Sequence, residues 1–207
     1  FDITSGILRR VWRFDRQVLP APEDIHALLA HIGWHKVSWR SPVIGFPKGM
    51  EIDFGGIVKE YAADRASSLC LAAGIRHGVI NLGGDIRIIG PHPDGSPWRI
   101  GIQNPRGEPA AIGALSLRSG GVTTSGDYAR CLVIDGVRYG HVLNPLTGWP
   151  VRHMASVTVV GDFCLVAGSA STIAMLKEDA GPRWLEELGL PHFWIDVDGR
   201  HGGSMAS

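Results

Sequence analysis

The stretch Asp53-Phe54-Gly55-Gly56-Ile57-Val58-Lys59-Glu60-Tyr61-Ala62-Ala63-Asp64-Arg65 constrains this chain more than any other. Two glycines open a helical pattern, and a carboxylate stands just before them. Glycine lets backbone approach a ligand closely, and the first turn of a helix leaves N–H groups without intrahelical partners, so an anion is favoured there. Lys59 lies one turn in, where its ammonium could meet the same anion. Ala62, Ala63, Ala66, Leu69, Cys70 and Ala73 carry the helix onward, and Gly74 is placed to close it in a left-handed cap. On these grounds alone the stretch is either a phosphate-type site or a tight strand-to-helix turn.

The bulk properties narrow the class. A chain of 207 residues, 44% of them hydrophobic, suffices for one domain, or one and a half, around a sizeable core. Lys plus Arg and Asp plus Glu both number 20, so the zero net charge gives no support for nucleic-acid or anionic-membrane binding. No apolar run approaches the roughly 18 residues of a membrane span. Cys70, Cys131 and Cys164 are far apart and odd in number, which argues against a zinc site and against a disulfide framework. Phe1 opens in what reads as mid-domain sequence. Residues 202–207 resemble a linker or cloning tail, so the domain is drawn over 1–201.

Along the chain, Asp2 or Thr4 could cap a helix through Leu8, Val11 and Trp12. Glu23 to Ile32 has helical spacing ended by Gly33, and Val37 to Pro47 reads as strands or a hairpin. A buried strand, 78–82, meets Gly83-Gly84-Asp85, where the glycines mark a turn or a close approach to a ligand and Asp85 is read as serving only that turn. Residues 86–89, 98–103 and 114–117 read as further strands. Gly120 to Tyr128, small and polar, reads as a loop. Asp135-Gly136 signals a hairpin between 130–134 and 137–143. His141, at the end of that hairpin, is either structural or a functional imidazole facing a glycine-rich cleft. Ser156 to Val160 alternates as a strand, and Asp162 is placed to cap a helix over Cys164 to Lys177. The small residues of that helix, Ala167 to Thr172, allow close packing against a sheet or a ligand. A short helix over 184–188 and a strand over 193–197 follow.

Five blocks in order resemble the ApbE family of FAD:protein FMN transferases. They are Phe1-Asp2-Ile3-Thr4, Asp53 to Asp64, Asn81-Leu82-Gly83-Gly84-Asp85, Thr124-Ser125-Gly126-Asp127-Tyr128, and Arg138 to Gly148 with its His141-Val142-Leu143-Asn144-Pro145 centre. The resemblance implies an α+β fold, a mixed and largely antiparallel sheet flanked by helices (T-fold-related). It also implies FAD as the flavin donor, Mg²⁺, and transfer of FMN to a Thr or Ser hydroxyl with release of AMP. The partner it implies is an acceptor subunit of a membrane redox complex, at the periplasmic face of the cytoplasmic membrane. The family's N-terminal portion has no counterpart here, and any membrane attachment is expected to lie in it.

By the same resemblance His141 is the base for the acceptor hydroxyl. An imidazole, with an ordinary pKa near 6.5, suits that role. Phe1, Asp2, Asp53, Lys59 and Val142 fall at FAD-contacting positions. Gly56, through its main-chain carbonyl, and Thr172, through its hydroxyl, fall at metal-binding positions, with Ser171 as an additional oxygen. Three residues depart from the pattern. Gly168 stands where the family carries a metal-binding Asp, Asn144 stands for an Asp, and Glu60 for a Gly. Glu60 is expected to pair with Lys59 or to face solvent. Asp162 is a remote candidate for the lost carboxylate. Two other activities fit the same residues: a non-catalytic flavin-binding or flavin-storing protein, favoured by Gly168, and a hydrolase splitting FAD to FMN and AMP.

Overall fold

Turn chemistry and β-branched runs set most of the architecture of the computed structural model, which describes residues 2–107 and 110–206. Its helices are α1 (Pro22–Leu29), α2 (Val58–Ala72), α3 (Cys164–Leu176) and α4 (Gly181–Leu188). Its first strands are β1 (Ser38–Arg40), β2 (Val43–Gly45), β3 (Gly78–Leu82), β4 (Asp85–Gly90), β5 (Trp98–Gln103) and β6 (Ala111–Leu117). They are followed by β7 (Gly120–Gly126), β8 (Cys131–Ile134), β9 (Val137–Gly140), β10 (Met154–Gly161), β11 (His192–Asp196) and β12 (His201–Gly202). Six strands form one antiparallel sheet in the order β12-β11-β10-β7-β4-β3, and β1-β2, β5-β6 and β8-β9 are separate hairpins. The result is the expected α+β arrangement.

Two hairpins turn where glycine and aspartate permit positive φ. Gly83 and Gly84 have φ of 63° and 97°, and Asp135 and Gly136 have φ of 50° and 76°. Positive φ at both central residues gives the turn the twist that flanking strands need. Gly74, at φ 85°, closes α2 as expected, and the Ile75 N–H reaches back to the Cys70 carbonyl at 3.0 Å.

Residues 120–126 are not a loop. They form β7, an inner strand hydrogen-bonded to β4 on one side and β10 on the other. Val122, Thr123 and Thr124 are β-branched, and the first two are buried. The Thr124 and Ser125 hydroxyls that make the segment look solvent-facing find partners inside, as in Thr124 with Thr158 at 2.9 Å. Gly121 lets α3 lie on the strand: a Cβ there would stand 2.6 Å from the Cys164 nitrogen. Gly121→Ala is expected to lower unfolding free energy by roughly 1–3 kcal/mol through overpacking. A denaturant titration reads this, and an unchanged midpoint would rule out the tight seating of α3 at Gly121.

Asp162 does not cap α3. Phe163 is the N-cap residue and makes no side-chain cap bond. The exposed N–H groups of Cys164 and Leu165 instead donate to Asp64 of α2, at 3.0 and 2.9 Å. Arg87 of β4 stands 3.3 Å from the same carboxylate and also donates to the Asp162 carbonyl at 2.6 Å.

Two apolar clusters form the core, one of them against the six-stranded sheet. One joins Met154, Val157 and Val159 of β10 to Ala167, Ala170, Ala174 and Met175 of α3 and Leu185 of α4. The other packs Ile7, Leu8 and Trp12 against Ile25, Ile32 and Leu132. The Trp12 indole N–H donates to the Gly148 carbonyl at 2.8 Å, tying the N-terminal segment to the chain beyond His141. Residues past 201 continue the structure rather than trailing from it. β12 pairs with β11, and the Met205 N–H donates to the His192 carbonyl at 3.0 Å.

Candidate active site

The Asp53 loop is built on the N-terminal segment. The Asp53 N–H donates to the Ile3 carbonyl at 2.8 Å, and Gly6 has no room for a side chain beside Asp53. One carboxylate oxygen of Asp53 accepts the Gly55 N–H at 2.7 Å, and the other lies 3.9 Å from Arg9. The Ile57 and Val58 N–H groups both reach the Phe54 carbonyl, so Gly55 and Gly56 form a closed turn before α2 begins. Asp2 is committed to structure: its carboxylate accepts from the Thr4 N–H, the Thr4 hydroxyl and the Trp34 N–H at 2.9, 2.7 and 3.1 Å. Phe1 lies outside the described residues.

Lys59 and Glu60 point to different partners. The half-exposed Lys59 ammonium meets the buried carboxylate of Asp85 at 2.5 Å, so Asp85 holds Lys59, while the Gly83-Gly84 turn takes its side-chain bond from Asn81. Burial pushes the Asp85 pKa up, with Lys59 opposing the rise. Glu60 neither pairs with Lys59 nor faces solvent. It is 5% exposed and is directed at α3, and its Oε2 has no hydrogen-bond partner among the described residues. The cause is its position on the helix. Glu60, Ala63 and Ser67 are the buried residues of α2 and share one face, together with Asp64. Desolvation raises the Glu60 pKa, and the charge of Asp85 adds to the rise.

Opposite Glu60 stands Gly168. A Cβ at that position would fall 2.5 Å from Glu60 Cγ and 2.8 Å from its Oε1. One turn on, the buried Ser171 hydroxyl and the Thr172 hydroxyl both contact Ser125 Oγ of β7, at 2.8 and 3.1 Å. Ser171 also donates to the Gly168 carbonyl at 3.0 Å. The structure thus brings Ser171 and Thr172 together, and among the described residues no hydrogen bond links Gly56 to them. Ser125, which carries no signal of its own beyond its Thr-Ser-Gly block, joins the two hydroxyls. No three His, Cys, Asp or Glu side chains converge among the described residues. The available donors are hydroxyls, carbonyls and one unpartnered carboxylate. Such an all-oxygen set suits a hard divalent cation that keeps part of its shell for ligand oxygens or water.

His141 follows β9 directly. Its Nδ1 lies 3.2 Å from the Arg130 carbonyl. A carbonyl only accepts, so Nδ1 carries the proton and Nε2 keeps a free lone pair. The ring has an open edge, yet the protein around it desolvates the imidazolium and lowers its pKa from the ordinary value. The Arg130 and Lys59 charges add to the lowering. Asp127 works in the other direction, and it is held by two bonds of 2.7 Å from Arg106, a pair the sequence did not disclose. Val142 packs its side chain against the cluster under α3. Asn144 serves its turn, its Oδ1 accepting the Leu146 N–H at 2.9 Å. A cleft of about 450 Å³, lined by Arg9, Trp12, Phe14 and Arg130 among others, lies between the residue beside Asp53 and the residue that orients His141.

An oriented imidazole at the end of the β8-β9 hairpin and a glycine-rich entry to α2, set around a six-stranded antiparallel sheet, define an α+β domain with a nitrogen free to accept a proton. The chain belongs to the ApbE family, whose model matches residues 1–194. It is 30% identical over 204 residues to an FAD:protein FMN transferase of Vibrio cholerae, an alignment covering 94% of this chain and 60% of that protein. It is 36% identical over 198 residues to one of Rhodobacter capsulatus, covering 92% of this chain and 38% of that protein. The crystal structure of the ApbE protein from Thermotoga maritima superposes with a TM-score of 0.89 at 36% identity, covering 99% of this chain and 70% of that one. The chain therefore spans less than two thirds of the length of these two curated relatives.

Proposed function

We propose that this protein transfers FMN from FAD to a Thr or Ser hydroxyl of an acceptor protein, with Mg²⁺ as the metal. The observation that carries this is His141, whose free Nε2 is fixed by the Nδ1 bond to the Arg130 carbonyl in a chain similar to FAD:protein FMN transferases. The acceptor oxygen attacks the phosphorus on the flavin side of the diphosphate. The bond from that phosphorus to the bridging oxygen breaks, and AMP leaves with that oxygen. Nε2 takes the hydroxyl proton. Lys59, held by Asp85, places positive charge near the helix entry, and the side-chain-free Gly55-Gly56 turn would let the nucleotide approach it closely. Ser171, Thr172 and the Gly56 carbonyl would hold Mg²⁺, which supplies charge neutralisation at the diphosphate.

The acceptor we infer is a subunit of a membrane redox complex, met at the periplasmic face of the cytoplasmic membrane. No helix among the described residues is long and apolar enough to cross a membrane. The test is incubation of the whole protein with FAD, Mg²⁺ and Thr-containing acceptor domains, read by mass spectrometry. An acceptor mass increased by FMN, with AMP released, is the expected result. AMP without the adduct would assign FAD hydrolysis instead, and retained FAD without AMP across several acceptors would assign flavin binding.

A further inference from the structure

The two departures at positions 60 and 168 are one exchange. α2 and α3 lie against each other with Asp64 at Cys164 and, one turn back along α2 and one turn forward along α3, Glu60 at Gly168. At the first contact the carboxylate is consumed by two backbone N–H groups and Arg87. At the second it is not consumed. Glu60 is buried, its Oε2 is unpartnered among the described residues, and its Oε1 and Cγ fill the volume into which any side chain at 168 would project. An unpaired buried carboxylate costs several kcal/mol and persists where something else satisfies it. One turn from Gly168 lie the hydroxyls of Ser171 and Thr172, linked through Ser125. The surroundings of Glu60 therefore offer oxygen donors and no cationic side chain bonded to it, since Lys59 is held by Asp85.

We propose that Glu60 is a ligand of the divalent cation, delivering from α2 a carboxylate oxygen to the site that α3, with glycine at 168, cannot supply. A glycine at 168 is then required, because Glu60 occupies the space of its side chain. Charge is conserved while its point of attachment moves from one helix to the other. This inference rests on the metal assignment made under the proposed function.

The test is Mn²⁺ binding to the whole protein, followed by electron paramagnetic resonance in the presence of FAD, with circular dichroism to verify folding. Glu60→Gln keeps size and removes the charge; it is expected to weaken Mn²⁺ by at least about tenfold, as loss of one anionic ligand from a hard-cation site should. The paired exchange Glu60→Gly with Gly168→Asp returns the carboxylate to α3 and is expected to restore affinity to near that of the unaltered protein. Mn²⁺ bound equally well by Glu60→Gln would overturn the assignment of Glu60 while leaving the metal itself in place. No Mn²⁺ bound by the unaltered protein would overturn both. Should the paired exchange fail to fold, Glu60→Gln alone still decides.

Discussion

His141→Ala is expected to slow FMN transfer roughly 10²- to 10⁴-fold, the usual contribution of a positioned base, while FAD stays bound. The motive is geometric. The Arg130 carbonyl holds the Nδ1 proton, so Nε2 is the nitrogen left to accept one. Single-turnover transfer to an acceptor domain measures the loss, and FAD fluorescence shows whether binding survives. A pH profile adds a sign. Desolvation lowers the His141 pKa below its ordinary value of about 6.5, and the base works only when neutral. Activity should therefore be present above that ordinary value, with its acid limb falling lower, as pH drops through the depressed pKa. A His141→Ala protein that keeps its rate to within a factor of about three would remove His141 from the chemistry.

Asp64→Ala is expected to cost about 3 kcal/mol of stability. Each hydrogen bond to a charged acceptor contributes about 1.5–3 kcal/mol, and breaking a buried ion pair costs about 3–5 kcal/mol. Partial relaxation and water entry reduce the sum. Asp64 accepts both free N–H groups at the start of α3 and faces Arg87, with only 14% of its side chain exposed. At roughly 2–4 °C per kcal/mol for a chain of this size, the melting temperature should fall by about 6–12 °C. Asp64→Asn keeps one acceptor oxygen and should lose about half as much. Calorimetry or a thermal melt checks both. A loss below about 0.5 kcal/mol for Asp64→Ala would mean that solvent, not α2, satisfies the start of α3. The consequence reaches the site, because the same contact fixes the register that sets Glu60 against Gly168.

Much of the frame was legible because its causes are local. The helix after Gly56, its closure at Gly74 and the Asp135-Gly136 turn each follow from residues within a few positions of one another. His141 was legible as a candidate from its block, and the structure adds the carbonyl that fixes its tautomer. The strand β7 was not legible, because its polar composition mimics a loop until Thr158, Ser171 and Thr172 are brought beside it.

By itself, then, the sequence determined the local elements, the turn positions and the family of the chain. Only the tertiary structure decided how carboxylates are assigned. Asp64 reaches across 100 residues to the start of α3, Asp85 takes Lys59, and Glu60 takes the place beside Gly168. The physical reason is that periodicity places a side chain on a face of its own helix but does not name the surface opposite. A carboxylate exposed to water and one buried against a glycine read the same until the second helix is laid down.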